Sequence, residues 1–381
     1  MIPSSERSSH PERMRLRSAV LALLDRAAED PQARLEAERD ALLADLARLQ
    51  AEHVTPFTRL CDARGARFDG GPDGWPALPT DVHRHARVSV FAQGADLLVF
   101  RTSGTTHGAR GEHPFLELAL YHRAAMIGAH AAFLPAGVFD LLVLAADPAR
   151  QPDSSLGHMI GLFAQEARRR DASARATFAL DGDRIDTAAI VEAIDAANAR
   201  TRALVLCGTS FAFVFAEDVL DRRFCLPAGS RAMYTGGFKG RSRVLDEDQL
   251  RAVIGARFGL PDDHLVTEYG MTELSSQLWS RERLTSPSAR DGLLWIPPWL
   301  RVTPVDPVSL EPVPRGERGI LRFDDLANLD SCVSIQTADV GLLERTPEGT
   351  IGLRLFGRDP TAVPRGCSLA IEEALARGSS L

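Results

Sequence analysis

Lysine is all but absent from this chain: among 44 basic residues in 381, Lys239 is the only one. A position that keeps lysine in so arginine-biased a composition asks for a compact ammonium that a guanidinium cannot imitate. Positive charge is also outnumbered, 44 Lys and Arg against 51 Asp and Glu for a net charge of -7. That balance excludes the broad basic field of a general nucleic-acid or anionic-membrane binder. Long apolar runs are missing too, since the run from Leu141 to Ala146 falls far short of the ~20 residues that span a bilayer. The polar start Pro3-Ser4-Ser5-Glu6-Arg7 and the early interruption of Ser18–Leu24 by Asp25 and Arg26 leave no secretory signal, so a cytoplasmic location is expected. Five cysteines (Cys61, Cys207, Cys225, Cys332, Cys367) include no C-x-x-C, and no histidine cluster has zinc spacing. Neither a disulfide framework nor a zinc site is predicted.

What is present is an ordinary globular composition, 45% hydrophobic and 25% charged, with room for one large domain or two smaller ones. Residues 11–53 read as two helices, with Pro31 near the start of the second, forming an amino-terminal cap. From about 95 to 270, apolar runs at 97–100, 141–146, 203–207, 231–235 and 264–267 alternate with amphipathic stretches at 117–131, 156–169, 186–199, 211–222 and 246–258. This is an α/β pattern of strands and helices, with Asp186 as a helix cap. From 293 to 356 the texture changes to short β runs punctuated by Pro297-Pro298, Pro314-Arg315-Gly316 and Glu348-Gly349, suggesting a β subdomain.

Two stretches carry chemistry. Residues 101–113, RTSGTTHGARGEH, follow the apolar run ending at Phe100. Glycines let backbone N–H groups close on an anion and hydroxyls add donors, so the stretch suits a phosphate cradle as well as a plain polar turn. It is neither a Walker loop nor a G-x-G-x-x-G fingerprint. Glu268-Tyr269-Gly270-Met271-Thr272-Glu273-Leu274 follows another strand and gathers a ring, a tight turn, a hydroxyl and a carboxylate. Such a set at the carboxyl edge of a sheet suits adenine, a phosphate and magnesium.

Together these stretches resemble the signatures of the adenylate-forming superfamily of acyl-CoA synthetases, nonribosomal adenylation domains and firefly luciferase. Gln336-Thr337-Ala338-Asp339-Val340-Gly341 is similar to its T-G-D element, and Gly357-Arg358-Asp359 to its G-R-x-D hinge. A closer resemblance is to LuxE-like acyl-protein synthetases, through residues 269–274 with Ser276-Gln277, Gly236-Gly237-Phe238-Lys239, residues 206–211 and Arg365-Gly366-Cys367-Ser368.

The resemblance implies a large α/β adenylation-type domain of sheets flanked by helices. The expected divisions are a helical cap (1–60), a nucleotide- and acid-binding core (61–292), the β subdomain (293–356) and a hinge with terminal remnant (357–381). The mobile carboxy-terminal domain of the superfamily, with its catalytic lysine, is expected to be essentially absent. The cofactors implied are ATP and Mg2+. Ser103, Gly104, Thr105, Thr106 and Gly108 would wrap the phosphates. Gly236, Gly237 and Tyr269 would frame adenine, Thr272 would touch the α-phosphate, Glu273 would hold magnesium and Asp339 would bind the ribose, with Arg358 of the hinge motif a further cofactor-binding residue.

Two departures from the loop signature stand out: His107 replaces a glycine and Arg110 the usual lysine. Lys239 is then the candidate cation between carboxylate and phosphate, with His107 the weaker alternative, and Cys367 the candidate acyl acceptor, its thiolate favoured by Arg365. Phe211, Ala212, Phe213 and Tyr234 would line the acid pocket. The activity expected is ATP-dependent adenylation of an aryl or fatty acid, then transfer to a thiol of the chain or of an acceptor protein such as a reductase or carrier. The rival readings are a catalytically silent nucleotide-binding scaffold and a conventional acyl-CoA ligase.

Overall fold

All six residues of Phe139–Leu144 are buried, and because successive side chains in a strand point to opposite faces, both faces of its sheet are covered. The structure, a computed structural model, describes residues 11–103, 109–182, 184–236, 245–280, 292–346, 349–358 and 365–375. It divides into two units, one of Gly128–Gly270 with Leu278–Gly292, the other of Met1–Ile127, Met271–Gln277 and Leu293–Leu381.

In the Gly128–Gly270 unit, Leu265–Tyr269, Arg231–Thr235, Ala203–Thr209, Phe139–Leu144 and Ala176–Phe178 lie parallel in that order, with Leu278–Ser280 antiparallel beside the first. The connecting helices Ser155–Arg170, Thr187–Ala199, Ser210–Val219 and Glu247–Phe258 begin where side chains satisfy their first N–H groups. Ser154, Asp186 and Thr209 each accept from the amide three residues on, and Asp246 forms a reciprocal capping box with Gln249. Asp186 therefore caps as expected. Leu142, Leu206, Phe213, Tyr234, Ile254 and Phe258 belong to one core between sheet and helices. Gly208 is required there, because a Cβ would lie 2.9 Å from that of Leu144.

The other unit holds helices Pro11–Glu29, Glu36–His53 and Thr55–Arg64, the last beyond the two expected. Its antiparallel sheet runs Leu300–Val305, Gly319–Asp325, Ser334–Arg345, Ile351–Arg358, Leu294–Trp295, and Leu78–Pro79 adds a parallel pairing to Ser334–Arg345. One expectation is corrected. The strand expected at 97–100 does not join the parallel sheet; Leu98–Arg101 pairs with Glu112–Phe115 as a separate antiparallel hairpin. Glu112–Phe115 returns the chain directly alongside Leu98–Arg101.

Charged groups penetrate this unit deeply. Arg13 on the first helix donates to Asp330 at 2.8 and 2.5 Å and to Glu117 at 3.1 Å, with both Arg13 and Asp330 buried. Arg322 donates to Asp324 and to the carbonyls of Trp75 and Pro72, clamping the 72–75 turn to the sheet. Removing one partner of such a pair leaves a buried charge uncompensated. Arg13→Met is expected to lower the unfolding free energy by about 3–5 kcal/mol, whereas Arg15→Met, at an exposed pair, costs under about 1 kcal/mol. Denaturant titration of the two variants checks the contrast.

Candidate active site

Parallel strands deliver their ends to one edge, and three neighbours do so here. Ala203–Thr209 ends at Thr209, and Ser210 Oγ donates to the Gly236 carbonyl at 2.6 Å. Arg231–Thr235 ends beside Leu265–Tyr269, Thr235 standing opposite Glu268. Gly236 takes φ +73, a left-handed conformation that glycine adopts without strain, and turns the chain away at this edge. Carboxyl ends of parallel strands are where α/β sheets bind ligands. Gly236 is exposed and Tyr269 half-buried.

Glu268, to which the sequence assigned no role, is fully buried and accepts a hydrogen bond from the Thr235 hydroxyl. Burial pushes its carboxyl up to about 7, the Thr235 bond opposing. The pocket residues expected at this edge are largely committed elsewhere. Phe213 is 1% exposed and edge-on to Phe258 within the core. Tyr234 is buried, donates to Glu247 at 3.1 Å and accepts from Arg251 at 3.3 Å, which fixes helix Glu247–Phe258 to the sheet. Ala212 is fully buried, and Phe211 alone of the four is half-buried, stacked on Phe215 at 6.1 Å.

The other unit contains the Met271–Gln277 loop. Its peptide groups are bonded by side chains. His113 Nδ1 donates to the Thr272 carbonyl at 2.7 Å, and Asn328 Nδ2 donates to the Glu273 carbonyl at 3.0 Å. Asp325 accepts from the amides of Ser275 and Ser276 at 3.1 and 3.0 Å and from the Ser276 hydroxyl at 2.7 Å. Thr272 is left half-buried and Glu273 buried. Burial lifts the Glu273 carboxyl to about 7; Arg84 and Arg358 pull it down and Asp81 pushes it up. Asp339 and Arg358, from two different sequence motifs, face each other across adjacent strands, and Arg358 Nε donates to Asp339 at 3.3 Å.

In the hairpin, Thr102 N donates to Gly111 O at 3.0 Å and Gly111 N to Thr102 Oγ1 at 2.9 Å, closing the base of the connection. Arg110 donates to the carbonyls of Thr102 and Arg101 at 2.6 and 3.0 Å, so it folds onto its own hairpin. Ser103 is exposed. Gly104, Thr105, Thr106, His107, Gly108, Gly237 and Lys239 lie outside the described residues, as does the Cys367 side chain, whose backbone belongs to helix Arg365–Leu375. Among the other cysteines, burial raises the thiols of Cys61, to about 12, and of Cys207 and Cys332, while Cys225 is exposed.

Residues 143–376 match the acyl-protein synthetase LuxE family, and the chain belongs to it. The particular relatives are two long-chain-fatty-acid–luciferin-component ligases. That of Vibrio harveyi is 24% identical over 38% of this chain and 38% of its own length, and that of Aliivibrio fischeri 22% identical over 52% and 53%. The chain thus spans about half or less of the curated relatives it matches. An open conformation of 2-hydroxyisobutyryl-CoA ligase, solved with 2-HIB-AMP and CoA, shares the fold: TM-score 0.58 at 16% identity, over 84% of this chain and 70% of that one. The expected α/β architecture of adenylation domains is therefore observed. No described helix is long and apolar enough to cross a membrane.

The sign of the Glu268 effect is testable. Its carboxyl is raised in the folded chain from 4.5 to about 7, so its contribution to stability is fully present below about 4.5 and lost as pH rises through about 7. Glu273 and Asp325 act in the same direction, and the buried neutral His83 and His113 in the opposite one below 6.5. Between about pH 5 and about pH 8, Glu268→Gln is expected to lose less stability than wild type. Urea midpoints at the two pH values measure it, and equal slopes would remove Glu268 as a source.

Proposed function

We propose that the protein activates a carboxylic acid with ATP and Mg2+ and passes the acyl group to a thiol. The observation that carries this reading is the buried Glu273 carboxyl on the side-chain-bonded loop 271–277, within a chain of the acyl-protein synthetase family. A carboxyl raised to about 7 by burial gains most from a nearby cation. The donor set suits magnesium, which takes one or two carboxylates and completes its shell with phosphate and water oxygens. No cluster of three His, Cys, Asp or Glu that could hold a metal occurs among the described residues. The bound ion would offset the charge of the phosphates.

In this reading Thr272 bonds the α-phosphate, Asp339 the ribose and Tyr269 with Gly236 and Gly237 the adenine, while Ser103, Gly104, Thr105, Thr106 and Gly108 enclose the outer phosphates. A carboxylate oxygen of the acid attacks the α-phosphorus as the bond to pyrophosphate breaks. Lys239 holds the two anions together at that point. A thiolate then attacks the acyl carbon and AMP leaves with the C–O electrons, the thiol proton having gone to solvent. Cys367 is the acceptor in this reading, and the raised thiols of Cys61, Cys207 and Cys332 make them poor nucleophiles. The relatives' names favour a long-chain fatty acid as the first acid to test, with an acceptor protein downstream, and the cytoplasm is the proposed location.

Acid-dependent ATP–pyrophosphate exchange over a panel of fatty and aromatic acids tests the reading. Exchange with one class is expected, lower by about 100-fold or more in Glu273→Gln and lost in Lys239→Ala. Nucleotide binding without exchange for any acid would favour a silent scaffold. CoA-dependent product without protein acylation would favour an acyl-CoA ligase.

A further inference from the structure

One buried side chain joins three segments of the Met1–Ile127 unit that the proposed chemistry requires to keep a fixed relation. His113 lies on Glu112–Phe115, the strand by which the chain leaves the candidate phosphate loop. Its Nδ1 reaches the Thr272 carbonyl at 2.7 Å and its Nε2 the Ser331 hydroxyl at 2.8 Å. A carbonyl only accepts, so Nδ1 carries the hydrogen and Nε2 accepts from Ser331, which defines one tautomer of a neutral ring. The ring is 1% exposed, lies 4.3 Å from that of Phe115 and meets the buried His83 ring edge-on at 6.1 Å. His83 in turn donates from Nδ1 to the carbonyl of Glu112 at 3.0 Å, holding the same strand from its other side.

We propose that His113 is a positioning residue for acid activation, fixing the Thr272–Glu273 peptide relative to the phosphate-loop hairpin through its paired bonds to Thr272 and Ser331. The inference rests on the adenylation reading and adds a residue that the sequence motifs do not contain. The Thr272 carbonyl belongs to the peptide joining Thr272 to Glu273, so a shift there displaces both the hydroxyl and the carboxyl proposed to touch phosphate and metal. Misplacement of reacting groups by about 1 Å costs on the order of 100-fold in rate. A ring with two hydrogen-bonding atoms on opposite sides ties hairpin, loop and the Ser331 segment together, and an apolar side chain of equal volume ties none. The charged and titratable groups around Glu273 are Arg84, Arg358 and Asp81, and His83 is the titratable neighbour of His113.

Exchange kinetics on the full chain test this with His113→Ala, His113→Asn and Ser331→Ala. Asn places an amide donor where Nδ1 stands. His113→Ala is expected to lower kcat about 10- to 100-fold with a smaller change in acid KM. His113→Asn restores most of kcat, and Ser331→Ala has an intermediate effect. An unchanged kcat with only a lower Tm would overturn the positioning role while leaving the adenylation reading intact. A wild type inactive with every acid would overturn both. Ring nitrogen NMR on the wild type serves if the variants fail to fold. The Nδ1–H tautomer, without titration between about pH 5 and about pH 8, is expected; the Nε2–H form would overturn the proposal.

Discussion

Backbone satisfaction by buried side chains is the constraint on which the Met271–Gln277 loop depends. No helix or strand ladder bonds its peptide groups at 272, 273, 275 and 276; His113, Asn328 and Asp325 do. A buried peptide group without a partner costs about 1–3 kcal/mol, so the three side chains together make the buried conformation of this loop tenable. The same bonds give Glu273 its chemistry. A carboxyl on a solvated loop would titrate in the ordinary range, whereas here burial lifts it to about 7, and a cation becomes the natural means of keeping it ionised.

The supports are themselves anchored. Asp325 ends the strand Gly319–Asp325, and Trp299 Nε1 donates to the Ser276 hydroxyl at 2.8 Å, so loop and sheet share one polar network. Asp330, five residues beyond Asp325, is neutralised by Arg13, and Gln50 bonds the backbone at Asn328 and Val333. The amino-terminal helices therefore supply the polar partners of the 325–333 segment. Buried ionic networks of this kind favour one arrangement over near alternatives more than they add net stability. A loop proposed to present two groups together would benefit from that selectivity.

The alternation of strand and helix between 139 and 270 is legible in the sequence because apolar runs, caps and turns agree there, as at Asp186 and Asp246. The hairpin is not. Glu112-His113-Pro114-Phe115 has neither a strand period nor a continuous apolar run, and its extended form comes from pairing with Leu98–Arg101. Local motifs bring Thr272 and Glu273 into view, but the residues that hold them lie far away in the chain. His113 is 159 positions from Thr272 and 218 from Ser331. Phe213 and Tyr234 illustrate the converse: large side chains beside a motif read as pocket lining, and the need to fill the core between helix and sheet claims them first.

The arginine bias acquires a physical sense from the same contacts. Arg13, Arg251 and Arg322 each donate in several directions at once from buried positions, Arg13 to two carboxylates and Arg251 and Arg322 to a carboxylate and to backbone carbonyls. The planar fork of guanidinium meets such divergent acceptors, and a single ammonium does not. Arg110 uses its fork on carbonyls of its own hairpin, so the cation standing where a phosphate loop ordinarily has lysine is already engaged with backbone. A fork held by two acceptors is poorly suited to follow charge as it passes from a carboxylate to a phosphate. A rotatable ammonium is well suited, and that difference is the physical argument for giving the proposed bridging role to Lys239.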